Sequence, residues 1–346
     1  MAELPGMMDG NIVKIYGEVK TMRITGDMIN SEIRLSGRFK GFFISILFSC
    51  ETILRATRKL QKKVLSGKTS SKISCEKIFI EKRNGEKLRT CIYKPLRPKE
   101  NATGLLWIHG GGYAIGAPEM DTGYAEEFIL TTDCVIVSPD YTLSTEKPYP
   151  AAVEDCYEAL VWMKENASKL GIRDDQLFVG GVSAGGGLTV AVTLMARDKG
   201  EVNIAFQMPL YPMIDDMMTN ASAIDNNAPI WNSRFNMLAW RMYLGDLFCS
   251  ENVPKYAAPA RETDYSRLPS AYTFVGDIEP FYDETIAFFD KLQKTGVSAK
   301  VDVYKGCYHA FDIMCPGAEI SKRATGKMLD EFRFAADNYF AGQGRE

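Results

Sequence analysis

Hydrophobic and polar residues alternate with a period of two on both sides of Asn84-Gly85, in KIFIEKR and EKLRTCIYKP. That pattern predicts a β-hairpin closed by the tight turn this dipeptide favours. Before it, residues 38–64 read as one helix with a strongly apolar first half and a basic second half, RATRKLQKKV. Its apolar face is expected to pack on something downstream, with a helix lying on a membrane surface as the alternative. A polar linker, SGKTSSK, follows. After the hairpin, apolar runs at 104–108, 134–141, 176–182, 204–212, 271–276 and 299–306 take turns with helical patterns near 121–131, 150–169, 186–198, 283–294 and 319–340. Elements of these lengths in this rhythm predict an α/β fold, a mostly parallel sheet covered by helices on both faces. Residues 213–257, rich in Met, Asn and aromatics, break the rhythm and read as an insertion above the sheet.

Composition narrows the picture. With 346 residues, 46% of them apolar, the chain has ample surface to bury, which excludes a disordered protein. A net charge of −3 argues against nucleic acid as a partner. The eight cysteines are scattered without a C-x-x-C pair, so neither a zinc cluster nor a disulfide scaffold is expected. The opening MAELPGMMDG lacks the charged and apolar regions of a secretory leader. The longest apolar run, FFISILFSC at 42–50, is about half of the ~18–20 residues that cross a bilayer. A cytoplasmic protein without stable membrane insertion is expected. Histidine occurs twice, as His109 and His309, so any histidine chemistry has two candidates.

Gly181-Val182-Ser183-Ala184-Gly185 is a G-x-S-x-G pattern set between an apolar strand and a helix. A sharp turn there strains the serine backbone and exposes its hydroxyl. His109-Gly110-Gly111-Gly112 follows the strand at 104–108. Successive glycines let backbone N–H groups turn toward a reacting carbonyl and hold its oxyanion. A dinucleotide-binding loop would need G-x-G-x-x-G, which the spacing of Gly111 and Gly116 does not supply. His309, in KGCYHAFD, falls at the C-terminal end of the last strand, where open sheets place their sites. For the acid of a Ser-acid-His order, Asp277, Glu279, Asp283 and Glu284 compete. The last two stand at a helix start, where acids complement the dipole, which leaves Asp277 and Glu279 on the loop. Ser144-x-x-Lys147 and Ser74-x-x-Lys77 match S-x-x-K without its partner motifs, and Gly67-Lys68-Thr69 resembles a P-loop end with Lys62 in place of its first glycine.

In this order the motifs resemble the hormone-sensitive-lipase-like group of α/β-hydrolase carboxylesterases, over about residues 75–340. Asp140-Tyr141-x-Leu143-x-x-Glu146, followed by Pro150-Ala151 and Glu154-Asp155, resembles a stretch that is mostly structural in that family. The family's acid lies in D-P-L-x-D-E. Glu279-Pro280-Phe281-Tyr282-Asp283-Glu284 aligns on it, so the resemblance implies Glu279 rather than Asp277. Two departures stand out. The acid is Glu where the family usually has Asp, and Val182 precedes the serine where the family usually has an acid, so a polar contact there is expected to be lost.

The resemblance implies an α/β-hydrolase fold with a helical cap. Residues 1–70 would be an N-terminal cap segment and 71–346 the catalytic domain, with a cap insertion at about 213–257. It further implies a serine carboxylesterase cleaving short- to medium-chain acyl esters through an acyl-enzyme. Ser183, Glu279 and His309 would be catalytic, and Gly111, Gly112 and Ala184 would form the oxyanion hole. Tyr113, Ile230 and Trp231 are the expected substrate contacts. Neither a cofactor nor a metal is implied. The expected partners are a small-molecule ester and, at most, a second copy as a homodimer. An amidase or deacetylase with the same triad, and a non-catalytic ligand-binding protein on the same fold, are the alternatives.

Overall fold

The structure, a computed structural model, describes residues 22–65 and 70–344. The opening decapeptide and the Gly67-Lys68-Thr69 triplet lie outside the described residues. β1 (Ile73–Glu81) and β2 (Lys87–Pro95) form the expected hairpin, pairing antiparallel from Ile73↔Pro95 to Glu81↔Lys87. β3 (Ala102–Ile108), β4 (Val135–Pro139), β5 (Ile172–Val182), β6 (Phe206–Leu210), β7 (Ser270–Gly276) and β8 (Ala299–Tyr304) are mutually parallel. The eight strands make one sheet in the order β1-β2-β4-β3-β5-β6-β7-β8. The helices are α1 (Arg34–Leu47), α2 (Glu51–Leu65), α3 (Thr122–Thr132), α4 (Ala151–Glu165), the short α5 (Ala167–Leu170) and α6 (Ala184–Lys199). They continue with α7 (Ser233–Leu244), α8 (Tyr282–Lys294), the short α9 (Phe311–Met314) and α10 (Glu319–Asn338).

The period of two along each strand divides the core. Leu106, Ile108, Val135, Val137, Leu177 and Val179 pack on one face, with Leu160 of α4 and Leu188 of α6. Leu105, Trp107, Ile136 and Phe178 pack on the other, with Phe128 of α3 and Phe332 of α10. Both faces are apolar because helices cover both, and each such side chain contributes roughly 1.5–3 kcal/mol by burial. Five of the cysteines, at 91, 134, 156, 307 and 315, are buried free thiols, and Cys50 and Cys249 are exposed.

Two expectations for the N-terminal region are corrected. The single helix over 38–64 is two, α1 and α2, separated at Phe48–Cys50. Ser49 Oγ donates to the Ile46 carbonyl at 2.7 Å, satisfying a terminal acceptor, while Phe48 turns inward against the Trp231 ring with centroids 5.0 Å apart. Nor does α1 bury its phenylalanines. Its inner face carries Gly37 and Gly41, because the helix lies so close to the Tyr308 ring and the Pro229–Ile230 backbone that a Cβ at either position would be crowded. The insertion at 213–257 contributes α7 and otherwise irregular chain.

Candidate active site

Strand register gathers the motif residues. Ile108 pairs with Gly181, and Val182 with Leu210, so the glycine loop after β3 and the serine turn after β5 start side by side. Gly276 pairs with Tyr304, which sets the acidic loop after β7 beside the histidine loop after β8. All four loops leave the C-terminal edge of the parallel sheet, where such folds hold ligands.

Ser183 links β5 to α6 with φ 59 and ψ −120, a conformation that costs a non-glycine residue of order 1–3 kcal/mol. Three backbone bonds hold it there: its N–H donates to Leu210 O at 3.0 Å, and its carbonyl accepts from Gly187 at 2.9 Å and Met213 at 3.1 Å. Gly185 is required on the helix side, since a Cβ there would fall on the Ile108 carbonyl. Val182 is buried, with its Cγ2 3.2 Å from where a Gly110 Cβ would stand, so an apolar side chain stands where the family usually has an acid.

Ser183 Oγ lies 2.8 Å from His309 Nε2, and His309 Nδ1 is hydrogen-bonded to Glu279 Oε2. The other carboxylate oxygen, Oε1, accepts from Gly276 N–H at 3.0 Å. All three side chains are buried. Asp277 points elsewhere: its Oδ1 accepts from Gly306 N–H at 2.6 Å, tying the acidic loop to the turn before His309. Asp283 and Glu284 also have structural partners. Asp283 accepts from Ser222 N–H at 2.8 Å, and Glu284 accepts from Ile214 N–H at 2.7 Å. Burial holds the Glu284 carboxyl well above the usual range, with nearby Asp215 adding to the rise.

The His309 ring is fixed edge-on by Phe281 and Tyr211, with centroids 4.9 and 5.0 Å away. Behind it, Tyr211 donates to Asp312 Oδ1 at 3.1 Å and Tyr124 donates to Asp312 Oδ2, a buried polar cluster that anchors the segment after the histidine. Burial raises the Asp312 carboxyl. Sequence reasoning missed this cluster, although Asp312 sits in the quoted KGCYHAFD.

The glycine loop is shaped by positive φ at Gly111 (119) and Gly112 (59). Among the described residues, no loop or turn carbonyl accepts from the N–H of either glycine. Ala184 opens α6, so its N–H is one of the helix's orphan donors. His109 is wholly buried, stacked on Tyr141 with centroids 4.3 Å apart, and burial drives its pKa down to about 4. The far end of the loop is held from α2. Buried Arg58 donates to the Gly116 carbonyl at 2.5 Å and to Asp140 at 2.9 Å, and Gln61 accepts from Gly116 N–H at 3.1 Å. Arg89 completes this cluster, bonding Asp140 at 2.9 Å and Glu119 at 2.8 Å. Only the Asp140 end was visible in a motif; Arg58 and Gln61 lie in a stretch whose composition marks them merely as polar helix.

Of the expected substrate contacts, Trp231 reaches the site. Its ring edge lies 2.5 Å from where a Gly112 Cβ would stand and its centroid is 6.2 Å from that of His309. Its indole N–H is buried without a hydrogen-bond partner among the described residues. Ile230 precedes it at φ 72, an unusual conformation for a β-branched residue. The Tyr113 ring stacks on Tyr243 at 3.9 Å and its hydroxyl donates to Met213 O at 2.8 Å.

An eight-stranded sheet of this order, with the serine at a strand-to-helix elbow, defines an α/β-hydrolase. Comparison with known proteins makes the class specific. Residues 105–313 match the family model described as the alpha/beta hydrolase fold. Esterase LipI of Mycobacterium tuberculosis is 32% identical over 225 residues, covering 64% of this chain and 70% of that protein. An arylesterase of Saccharolobus solfataricus is 30% identical over 228 residues, covering 64% and 71%. Among solved structures, bacterial heroin esterase superposes with a TM-score of 0.80 at 28% identity, covering 90% of this chain and 99% of that one. The chain belongs to the α/β-hydrolase family of hormone-sensitive-lipase-like carboxylesterases, and it is a carboxylic ester hydrolase.

Proposed function

We propose that Ser183, His309 and Glu279 are the nucleophile, general base and orienting acid of a two-step ester hydrolysis. His309 Nε2 takes the Ser183 proton as Oγ attacks the ester carbonyl, while Glu279 holds Nδ1–H and the imidazolium charge that forms. The N–H groups of Gly111, Gly112 and Ala184 stabilise the oxyanion, each such donor being worth roughly 3–4 kcal/mol. Nε2–H then protonates the leaving alkoxide, and the acyl group stays on Ser183. Water, deprotonated by the same nitrogen, releases the acid and restores the serine.

The observation that carries this reading is the continuous chain Gly276 N–H, Glu279, His309, Ser183, ending on a hydroxyl whose backbone is held in strain. The inner face of α1, at Gly37 and Gly41, and the insertion at about 213–257 act as the cap. Trp231 closes the space beside Gly112, which favours short- to medium-chain acyl groups over long ones. A series of p-nitrophenyl esters from acetyl to palmitoyl tests both statements. Turnover is expected to be highest for the shorter acyl groups and to vanish in Ser183→Ala. Unchanged turnover in that variant would end the triad reading, and a palmitoyl optimum would end the acyl-size reading.

A further inference from the structure

The outer face of α1 has no partner among the described residues. Leu35, Phe39, Phe42, Phe43 and Ile46 are 80, 67, 64, 55 and 49% exposed, at spacings that place them on one side of a helix. Phe43 meets Phe39 and Phe42 edge-on, with centroids 5.1 and 5.7 Å away, so the three rings form one aromatic surface. The short α9 packs beside α1 and adds exposed Ile313. At ~100° per residue, Gly37, Gly41 and Ile44 fall on the opposite side, toward the protein. Arg38 and Lys40 fall on the two flanks between these faces.

The charged residues of α1 itself have one sign, although Lys40 also donates to the Met314 carbonyl and Arg34 to that of Ile29. The sequence of α1 holds Arg34, Arg38 and Lys40 and no acid. That of α2 is strongly basic, with Glu51 as its single acid. This contrasts with a chain whose net charge is −3. A second copy docked face to face would bring two cationic helices together. An aromatic stripe flanked by cations instead suits the interface of an anionic bilayer, with rings at the acyl boundary and cations among the headgroups.

We propose that α1 is a docking helix that binds the protein to the surface of an anionic lipid bilayer without crossing it. Among the described residues, no helix is long and apolar enough to span a membrane. The inner face of α1 rests on Tyr308, next to His309, and on Pro229–Ile230, next to Trp231. The docked face is therefore on the cap side of the site. The proposal does not depend on the triad, and its test reads binding instead of turnover.

The full chain is sedimented with vesicles of phosphatidylcholine alone and of phosphatidylcholine with phosphatidylglycerol. Binding to the anionic vesicles only is expected, weakening as salt rises. The variant Phe39→Glu/Phe42→Glu/Phe43→Glu should lower the partition coefficient by more than about tenfold while keeping acetyl-ester turnover and melting temperature. Arg38→Glu, which leaves the rings untouched, should lower it by roughly fivefold. The proposal is overturned if wild type binds neither vesicle, or if the aromatic variant binds as well as wild type. It is also overturned if wild type is a dimer that this variant makes monomeric, since a second copy would then cover the face. Binding that appears only after removal of residues 1–21 also overturns it, since the full chain would then not dock through this face.

Discussion

The loops that carry His109 and His309 make an instructive pair. Each leaves the C-terminal end of a parallel strand, each follows a core strand register, and each histidine is buried. At the β8 loop, both ring nitrogens of His309 have partners that can exchange or hold a proton, Ser183 and Glu279. At the β3 loop, His109 is pressed against Tyr141, its Nε2 has no partner among the described residues, and burial keeps it neutral at ordinary pH. Burial is common to both, so what distinguishes His309 is a carboxylate on one nitrogen and a hydroxyl on the other.

The largest expected effect breaks the His309 side. Glu279→Gln should lower kcat by about 10⁴-fold by mis-orienting the imidazole, whereas Asp277→Asn should stay within about tenfold. Stopped-flow turnover of an acetyl ester distinguishes them, and the reverse outcome would move the acid to Asp277. The next breaks the β3 side through its strap. Arg58→Met removes the bond to the Gly116 carbonyl and should lower kcat by roughly 10–100-fold, less than deleting one oxyanion donor outright, with KM little changed.

A third prediction compares the two loops by pH. Because the pKa of His109 falls to about 4 in the folded chain from an ordinary value near 6.5, the unfolded chain binds more protons between those limits. The His109 contribution, of order 3 kcal/mol, is present above about pH 6.5 and is lost as pH falls toward 4. Urea titrations of wild type and His109→Phe should diverge in their pH slope across that window. Taking the difference cancels the buried carboxyls of Asp215, Glu284 and Asp312, whose raised pKa values work in the opposite sense. The smallest effect concerns Ala310, which follows His309 at φ 57. Ala310→Gly relieves the left-handed penalty and should raise stability by about 0.5–1 kcal/mol, read as a higher melting temperature.

The alternation of strands and helices, the hairpin, the serine elbow and the two histidine loops were legible because each is written in local periodicity or in glycine spacing. The acid was legible only through the family motif, which points to Glu279. The residues alone left Asp277 and Glu279 open on one loop, and it is their hydrogen bonds that send the former to the Gly306 turn and the latter to the imidazole. Residues 38–64 misled for a related reason. Apolar periodicity marks a face without saying which neighbour it meets, and here the close contact went to glycines while the aromatics stayed outside.

The strap from α2 bears on how such a protein can be divided. The stretch that matches the family begins at residue 105, yet Arg58 and Gln61 grip the glycine loop from well before it. A chimera built at the family boundary would transplant Ser183, Glu279 and His309 intact and leave the glycine loop untethered. For grafting or circular permutation, the indivisible unit starts at the N-terminal helices, and swapping those helices between relatives becomes a way to tune turnover without touching a reacting group.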